Sequence, residues 1–280
     1  MQLWHLTLAS KTRHALFPSE AERLRAVFTV TRICGTCLVL FCVADDHIHV
    51  VLLCDDWRRA YLARGLKLAV AGLTSVETKS VHFEPINGRS HMETVRRYVL
   101  RQPEHHQLPG HPALWSGSCF LDLVGARWIP DLTLRIQDVL PRCTFADVCR
   151  DIDLPLRRLE PVPLADLRAV GPRALVVAAA EACGAPPELN GKRRECVRAR
   201  RIACSLTRDA GMPLKETAWA LDIHPGNARK LLVKPAEPEA LLATRTRLAL
   251  EREVARDLER RRQREASAGQ EGGRWRRNRR

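Results

Sequence analysis

The 280-residue chain is 45% hydrophobic, enough to bury one large core or two modest ones. It carries 46 Lys and Arg against 32 Asp and Glu, a formal charge of +14. That excess favours a polyanionic partner, nucleic acid first, although an arginine-rich composition alone would also produce it.

"MQLWHLTLAS" has no basic segment followed by an apolar run, so no signal peptide is expected. The longest apolar runs, "CLVLFCVA" and "ALVVAAA", are far too short to span a bilayer, and no membrane role is expected. Ten cysteines without a secretory leader suggest reduced thiols and a cytoplasmic location. Cys34 and Cys37 form a C-x-x-C that precedes a strand-like run instead of opening a helix. No second pair follows at zinc-ribbon spacing, so both are expected as core or turn residues.

Leu3 to Ala9 reads as a first strand. "SEAERLRAVFTVTRIC" then starts with a Ser N-cap, carries Glu20 and Glu22 in its first turn, and spaces apolar residues as a helix does. "TCLVLFCV" and "HIHVVLL", separated by "ADD", predict an antiparallel hairpin. "WRRAYLARGLKLAVAGL" predicts a helix ending at Gly, and "SVHFEPI" an extended piece. The turn "NGRS" precedes an expected helix, "HMETVRRYVLRQ", halted by Pro103. This order predicts an α+β fold with helices packed on an antiparallel sheet. Residues from Pro103 to Pro130, rich in Pro, Gly and His, are expected as extended connections. From Asp131 to Glu188 short helices interrupted by prolines are expected.

"GKRRECVRARRIACSLTRDAG" predicts a long basic helix, followed by two short helices, "LKETAWAL" and "HPGNARKLL", in the layout of a helix-turn-helix. In it Asn227, Arg229 and Lys230 are the candidates to meet duplex DNA; a small helical bundle without that role is the alternative. A charged helix and the basic tail "GGRWRRNRR", expected to lack structure by itself, complete the chain.

Within "FCVADDHIHVVLLCDD", strand alternation turns His47 and His49 to one side and Ile48 to the other. Two imidazoles on one face can hold a divalent cation, or can be ordinary core histidines with partners. Burying them unpartnered would cost about 1–3 kcal/mol each. Tyr98 and Gln102, four apart in "VRRYVLRQP", would share one helix face. A phenol beside a carboxamide suits a metal-assisted nucleophile, with Gln102 as oxygen ligand. The same spacing also suits a half-buried packing tyrosine and a polar helix end.

"VADDHIHVVLL" followed by "RRYVLRQPEHHQL" resembles the single-tyrosine transposases of the HUH endonuclease superfamily, in particular the REP-associated tyrosine transposases. That family has a strand motif near N-H-V-H-L-L and a helix motif Y-I-x-x-N-P. His47 and His49 match the histidines, Tyr98 the nucleophile, Gln102 the amide ligand and Pro103 the following proline. "LTLASKTRHALFPSEAERLR" and "HPALWSGSCFLDLVG" resemble further family segments, so the likeness runs from Met1 to about Leu140. Asp46 stands where the family usually has Asn, and "TSVETKSVHFEPINGRS" departs from the family's stretch between the motifs.

The resemblance implies a ferredoxin/RRM-like HUH domain over 1–130; beyond it the sequence pattern predicts a helical connector over 131–190, a helix-turn-helix region over 191–235, and a charged helix and tail over 236–280. The resemblance to the family carries the chemistry as well. It implies that His47, His49 and Gln102 hold Mg²⁺ or Mn²⁺, and that Tyr98 attacks a phosphodiester of single-stranded, hairpin-bearing DNA to leave a 5′-phosphotyrosine. Arg96, Arg97 and Arg101 would line the strand's path or form an ordinary solvated helix face. The chain would act as a monomer or homodimer. A DNA-binding regulator that kept the fold and lost the chemistry is the rival expectation; a metal-storing or redox protein is a third.

Overall fold

A computed structural model describes residues 1–12 and 14–277, the side chains of 265–277 excepted. The first strand, β1 (Gln2–Ala9), leads to α1 (Glu20–Cys34). Ser19 caps α1: its hydroxyl accepts from the Glu22 N–H at 3.3 Å, and the Glu22 carboxylate accepts from the Ser19 N–H at 2.9 Å. This reciprocal box satisfies two donors a helix start otherwise leaves open. β2 (Leu38–Val43) and β3 (His47–Cys54) form the expected hairpin, closed by the Ala44 N–H on the His47 carbonyl. α2 (Asp56–Ala71) ends at Gly72, and β4 (His82–Pro85) follows.

The four strands form one antiparallel sheet in the order β2-β3-β1-β4, the sheet of an α+β fold. Leu6, Leu8, Ile48, Val50 and Leu52 are buried on one face. There α1 and α2 cover them, with the Arg59 guanidinium over the rings of Trp4 and Phe83. The opposite face carries His5, Thr7, His47 and His49, because the register pairs Thr7 with His49 and Ala9 with His47. Directly opposed residues share a face. Against this side lies α3 (Gly88–Leu100).

Two expectations in this region need correction. α3 begins inside "NGRS", with Asn87 as N-cap, so that turn forms the helix start. The helix also ends earlier, at Leu100, and a short α4 (Gln102–His105) carries Pro103 in its first turn. Proline has no N–H to continue the α3 ladder but fits an N-terminal turn, so the chain breaks at Arg101 and restarts.

Residues 111–130, expected as extended connections, are instead packed into the core around α5 (Phe120–Leu123). The Trp115 indole donates to the Val43 carbonyl at 2.9 Å, the Val43 N–H donates to the Gly117 carbonyl at 2.9 Å, and Ser118 bridges Cys42. The buried Arg127 guanidinium pairs with Asp122 and donates to the carbonyls of Ser116 and Ser118. Gly117 is required here, because a Cβ would drive into the Val43 carbonyl.

α6 (Ile136–Val139) and α7 (Phe145–Asp151) complete the first core, supplying Ile136, Val148, Cys149 and Ile152 from a stretch expected as connector. A second core forms among α8 (Leu167–Val170), α9 (Pro172–Ala182), α10 (Arg194–Asp209), α11 (Leu214–Ala220), α12 (Pro225–Leu231) and the early part of α13 (Pro238–Arg277). Leu250 and Val254 of α13 return to the first core and join the two. α11 and α12 are linked by a tight turn with Asp222 at φ 51°, and α10 is tied to α11 by a buried Thr207–Thr217 hydroxyl pair at 2.6 Å. The backbone of the basic tail, expected without structure, is helical through Arg277; its side chains lie outside the described residues. Among the described residues no helix is long and apolar enough to cross a membrane. All ten cysteines are free; Cys34 and Cys37 are buried, as expected of core positions.

Candidate active site

β3 holds His47 and His49 two residues apart, so alternation points both rings at α3 and α4. Their ring centroids are 4.7 Å apart. His47 Nε2 lies 2.9 Å from Gln102 Oε1, although 55 residues separate them. The Gln102 side chain is fully buried and its Nε2 donates to the Tyr98 carbonyl at 3.1 Å. That bond fixes which end of the amide faces His47: the oxygen. Tyr98 itself is 43% exposed, its ring 5.2 Å from that of His49. The four expected site residues thus lie together on one face of the sheet.

Four further residues join them. His5 Nε2 lies 3.0 Å from His49 Nδ1, with the two rings stacked, and Thr7 Oγ1 lies 3.2 Å from the same nitrogen. Both β1 residues occupy the Nδ1 side of His49, which leaves Nε2 toward Gln102 and the open site. Asp46 Oδ1 lies 2.6 Å from His47 Nδ1, and the His106 ring is 4.4 Å from that of His47. Ligand atoms of Asp46, His47 and His106 all fall within 4.8 Å of one another. His5 and Thr7 could have been found by aligning β1 antiparallel to β3. His106 carried no signal beyond its place in "PEHHQL", and Asp46 was visible only as a departure from the resembled motif.

Burial disfavours the charged form of three of these rings, His49, His5 and His106. It holds the His49 imidazole well below its ordinary 6.5, with further lowering from the neighbouring His47, His5 and His106 rings and a partial offset from Gln102. His5 is lowered chiefly by burial, against the opposing pull of Glu84, and His106 by burial and His47. Neutral imidazoles present lone pairs, the form a cation needs.

The donor set fits a hard divalent ion. Both nitrogens of His47 face acceptor oxygens, Asp46 on one side and Gln102 on the other. A neutral ring has one N–H to give. When Asp46 takes it, the Nε2 lone pair faces the Gln102 oxygen, and a cation shared by the two relieves the repulsion. His47 Nε2 and Gln102 Oε1, 2.9 Å apart, are the two atoms that would hold such an ion together. Asp46, 2.6 Å from Nδ1, would then orient that ring from behind.

The three arginines expected along a DNA path have different fates. Arg96 is buried and pairs through both Nε and Nη2 with the buried Asp151 of α7, so it is a structural residue and not a surface contact. The reason is the strong amphipathicity of α3: Arg96 falls on the stripe with Met92, Val95 and Val99. Arg101 bonds Glu104 and Asp153, which leaves little free charge. Arg97 is exposed and lines, with Thr94, Tyr98 and His105, a shallow depression of about 440 Å³ that opens on the Tyr98 ring. Asn227, Arg229 and Lys230 are all exposed on α12, far along the chain from this site.

No protein-family model and no curated protein matches the chain. One solved structure similar to it is the REP-associated tyrosine transposase bound to a REP hairpin, at 18% identity and a TM-score of 0.34, over 48% of this chain and 87% of that one.

Proposed function

We propose that this protein is a metal-dependent endonuclease and strand transferase that cleaves single-stranded DNA through Tyr98. The observation that supports the reading best is the meeting of His47, His49 and Gln102 beside the half-exposed Tyr98, four residues from two separate segments on one sheet face. Mg²⁺ or Mn²⁺ bound by His47, His49 and Gln102 would polarise a scissile phosphate and offset its developing charge. Tyr98 Oη attacks phosphorus and the P–O3′ bond breaks; the phenolic proton ends on the departing 3′ oxygen, leaving a 5′-phosphotyrosine. Because the link is a phosphodiester, a second 3′-OH can reverse the step and complete strand transfer. His5 and Thr7 hold the His49 ring, and Asp46 holds that of His47. Arg97 lies where it can meet the strand's phosphates. Asn227, Arg229 and Lys230 on α12 would contact duplex DNA, the stem of a hairpin included.

The test is incubation of the full chain with hairpin-bearing single strands and Mn²⁺. A protein–DNA adduct that survives SDS is expected, lost in Tyr98→Phe and reduced at least a hundredfold in His49→Ala. A Tyr98→Phe protein that cleaves as well as the parent removes the assignment. DNA binding without any adduct at all points instead to a regulator.

A further inference from the structure

A cleft of about 780 Å³ separates α1 from the start of α10, on the sheet face away from the histidines. Arg25, Phe28 and Arg32 fall at helical spacing along one side of α1; Arg193, Arg194 and Arg198 form the other wall. Five arginines thus face two carboxylates, Asp131 and Glu195. Arg25 lies 3.8 Å from Glu22 and Arg198 3.4 Å from Glu237. Among the described residues Arg32, Arg193 and Arg194 have no carboxylate within ion-pair distance. The mouth of the cleft therefore concentrates uncompensated positive charge.

The same end of the cleft receives the N-terminus of the 16-residue α10, whose N-cap Arg193 makes no side-chain capping bond. Its open N–H groups and the helix dipole add to the field of the guanidinium groups. The interior is different in character. Phe28, Leu73, Ile129 and Leu132 give it an apolar floor, and Phe28 is seated firmly: a Cβ on Gly184 would come within 3.1 Å of its ring. Arg198 also covers the Trp128 ring at 4.8 Å.

An apolar floor carrying one aromatic ring, under a rim of planar, bidentate cations, has the chemistry of a site for a base joined to a phosphate. We propose that this cleft binds nucleoside phosphate units, the base against Phe28 and the phosphate on Arg193 and Arg194. The cleft uses α10, from the helical region, and so adds a site that is separate from Tyr98 and does not depend on strand cleavage. The ligand comes either as a segment of single-stranded nucleic acid or as a free nucleotide.

The test uses the full chain carrying Tyr98→Phe, without metal, so that binding is read apart from cleavage. A fluorescent oligothymidylate is titrated at fixed salt into this protein, into the same protein with Arg193→Glu and Arg194→Glu, and into a control with Arg64→Glu and Lys67→Glu on exposed α2. The cleft pair is expected to weaken binding at least tenfold and the control less than threefold, with equal melting temperatures. A 4-thiothymidine strand should crosslink to the peptide containing Phe28. Competition by AMP or dTMP at micromolar concentration identifies a free nucleotide as the source; binding only of the strand identifies nucleic acid. Equal weakening by both charge reversals, or crosslinks confined to other peptides, overturns the proposal, as does unchanged affinity for every probe in the cleft variant.

Discussion

Replacing Arg96 by Ala separates a folding role from a DNA-contacting one. The Arg96 side chain is 9% exposed and that of its partner Asp151 only 2%. Truncation would leave the Asp151 carboxylate buried, without its bidentate partner and without the Arg96 bond to Cys143 Sγ. Breaking a buried pair from one side costs about 3–5 kcal/mol. Among the described residues Arg97 is the one nearby replacement, with Nε 3.6 Å from Asp151, but its side chain is 64% exposed. In that screened position it returns less than about 1 kcal/mol. A net loss of about 3 kcal/mol is a large share of the roughly 5–15 kcal/mol typical of a folded protein. With a urea dependence of about 1–3 kcal/mol per molar, the unfolding midpoint should fall by about 1–3 M. Asp151→Asn should do comparable damage, because it strands the guanidinium. The paired change Arg96→Met with Asp151→Leu should recover most of the loss, since apolar replacement of a whole buried pair is often neutral. If Arg96→Ala instead unfolds within about 0.5 kcal/mol of the parent while DNA affinity drops, the burial argument is wrong and Arg96 belongs to the binding surface.

Gly117→Ala places a methyl against the Val43 carbonyl and within 2.7 Å of the Trp115 indole nitrogen, both held by hydrogen bonds, so a loss of about 3 kcal/mol or more is expected in thermal unfolding. Asp46→Asn weakens the hold on the His47 ring and should lower Mn²⁺ affinity about 10- to 100-fold by calorimetry, with little change in melting temperature. Glu181 and Glu251 share the buried Arg247 guanidinium, and burial pushes the Glu181 carboxyl from 4.5 up to about 8. A carboxyl raised on folding holds its proton in the folded state and not in the unfolded one, so its contribution is full below about 4.5 and is lost as pH rises toward 8. Glu181→Gln should therefore flatten the fall in stability between pH 5 and 8; an unchanged profile would mean that Glu181 is ionised throughout.

What was legible in the sequence was local. The Ser19–Glu22 box, the β2–β3 hairpin and the shared face of His47 and His49 each follow from residues within one turn or one strand of each other. Even the nearness of Tyr98 to the histidines needed no more than matching two motifs. Arg96 was misread because its partner lies 55 residues on, in α7, and nothing near "VRRYVL" announces a buried carboxylate. His5 was missed for a related reason. It contributes to the site only through the β1–β3 register, which places Thr7 beside His49 and lets the longer His5 ring reach back to Nδ1. The packed 111–130 segment looked like loop because its Pro and Gly content describes its turns and not the buried carbonyls that Arg127 and Trp115 satisfy.

The break at Arg101 has the largest chemical consequence of these departures. Had α3 run on through Gln102, that amide would sit one turn beyond Tyr98, leaning back along its own helix. Pro103 cannot donate the next ladder bond, so the chain restarts, and Gln102 opens α4. From there its Nε2 returns to the carbonyl of Tyr98 while its Oε1 faces His47. One buried amide thus ties the backbone of the candidate nucleophile to a candidate ligand on β3. A shift of α3 along the sheet would strain that amide and disturb the candidate ligand pair, so the position of Tyr98 and the geometry of the candidate cation site are mechanically linked.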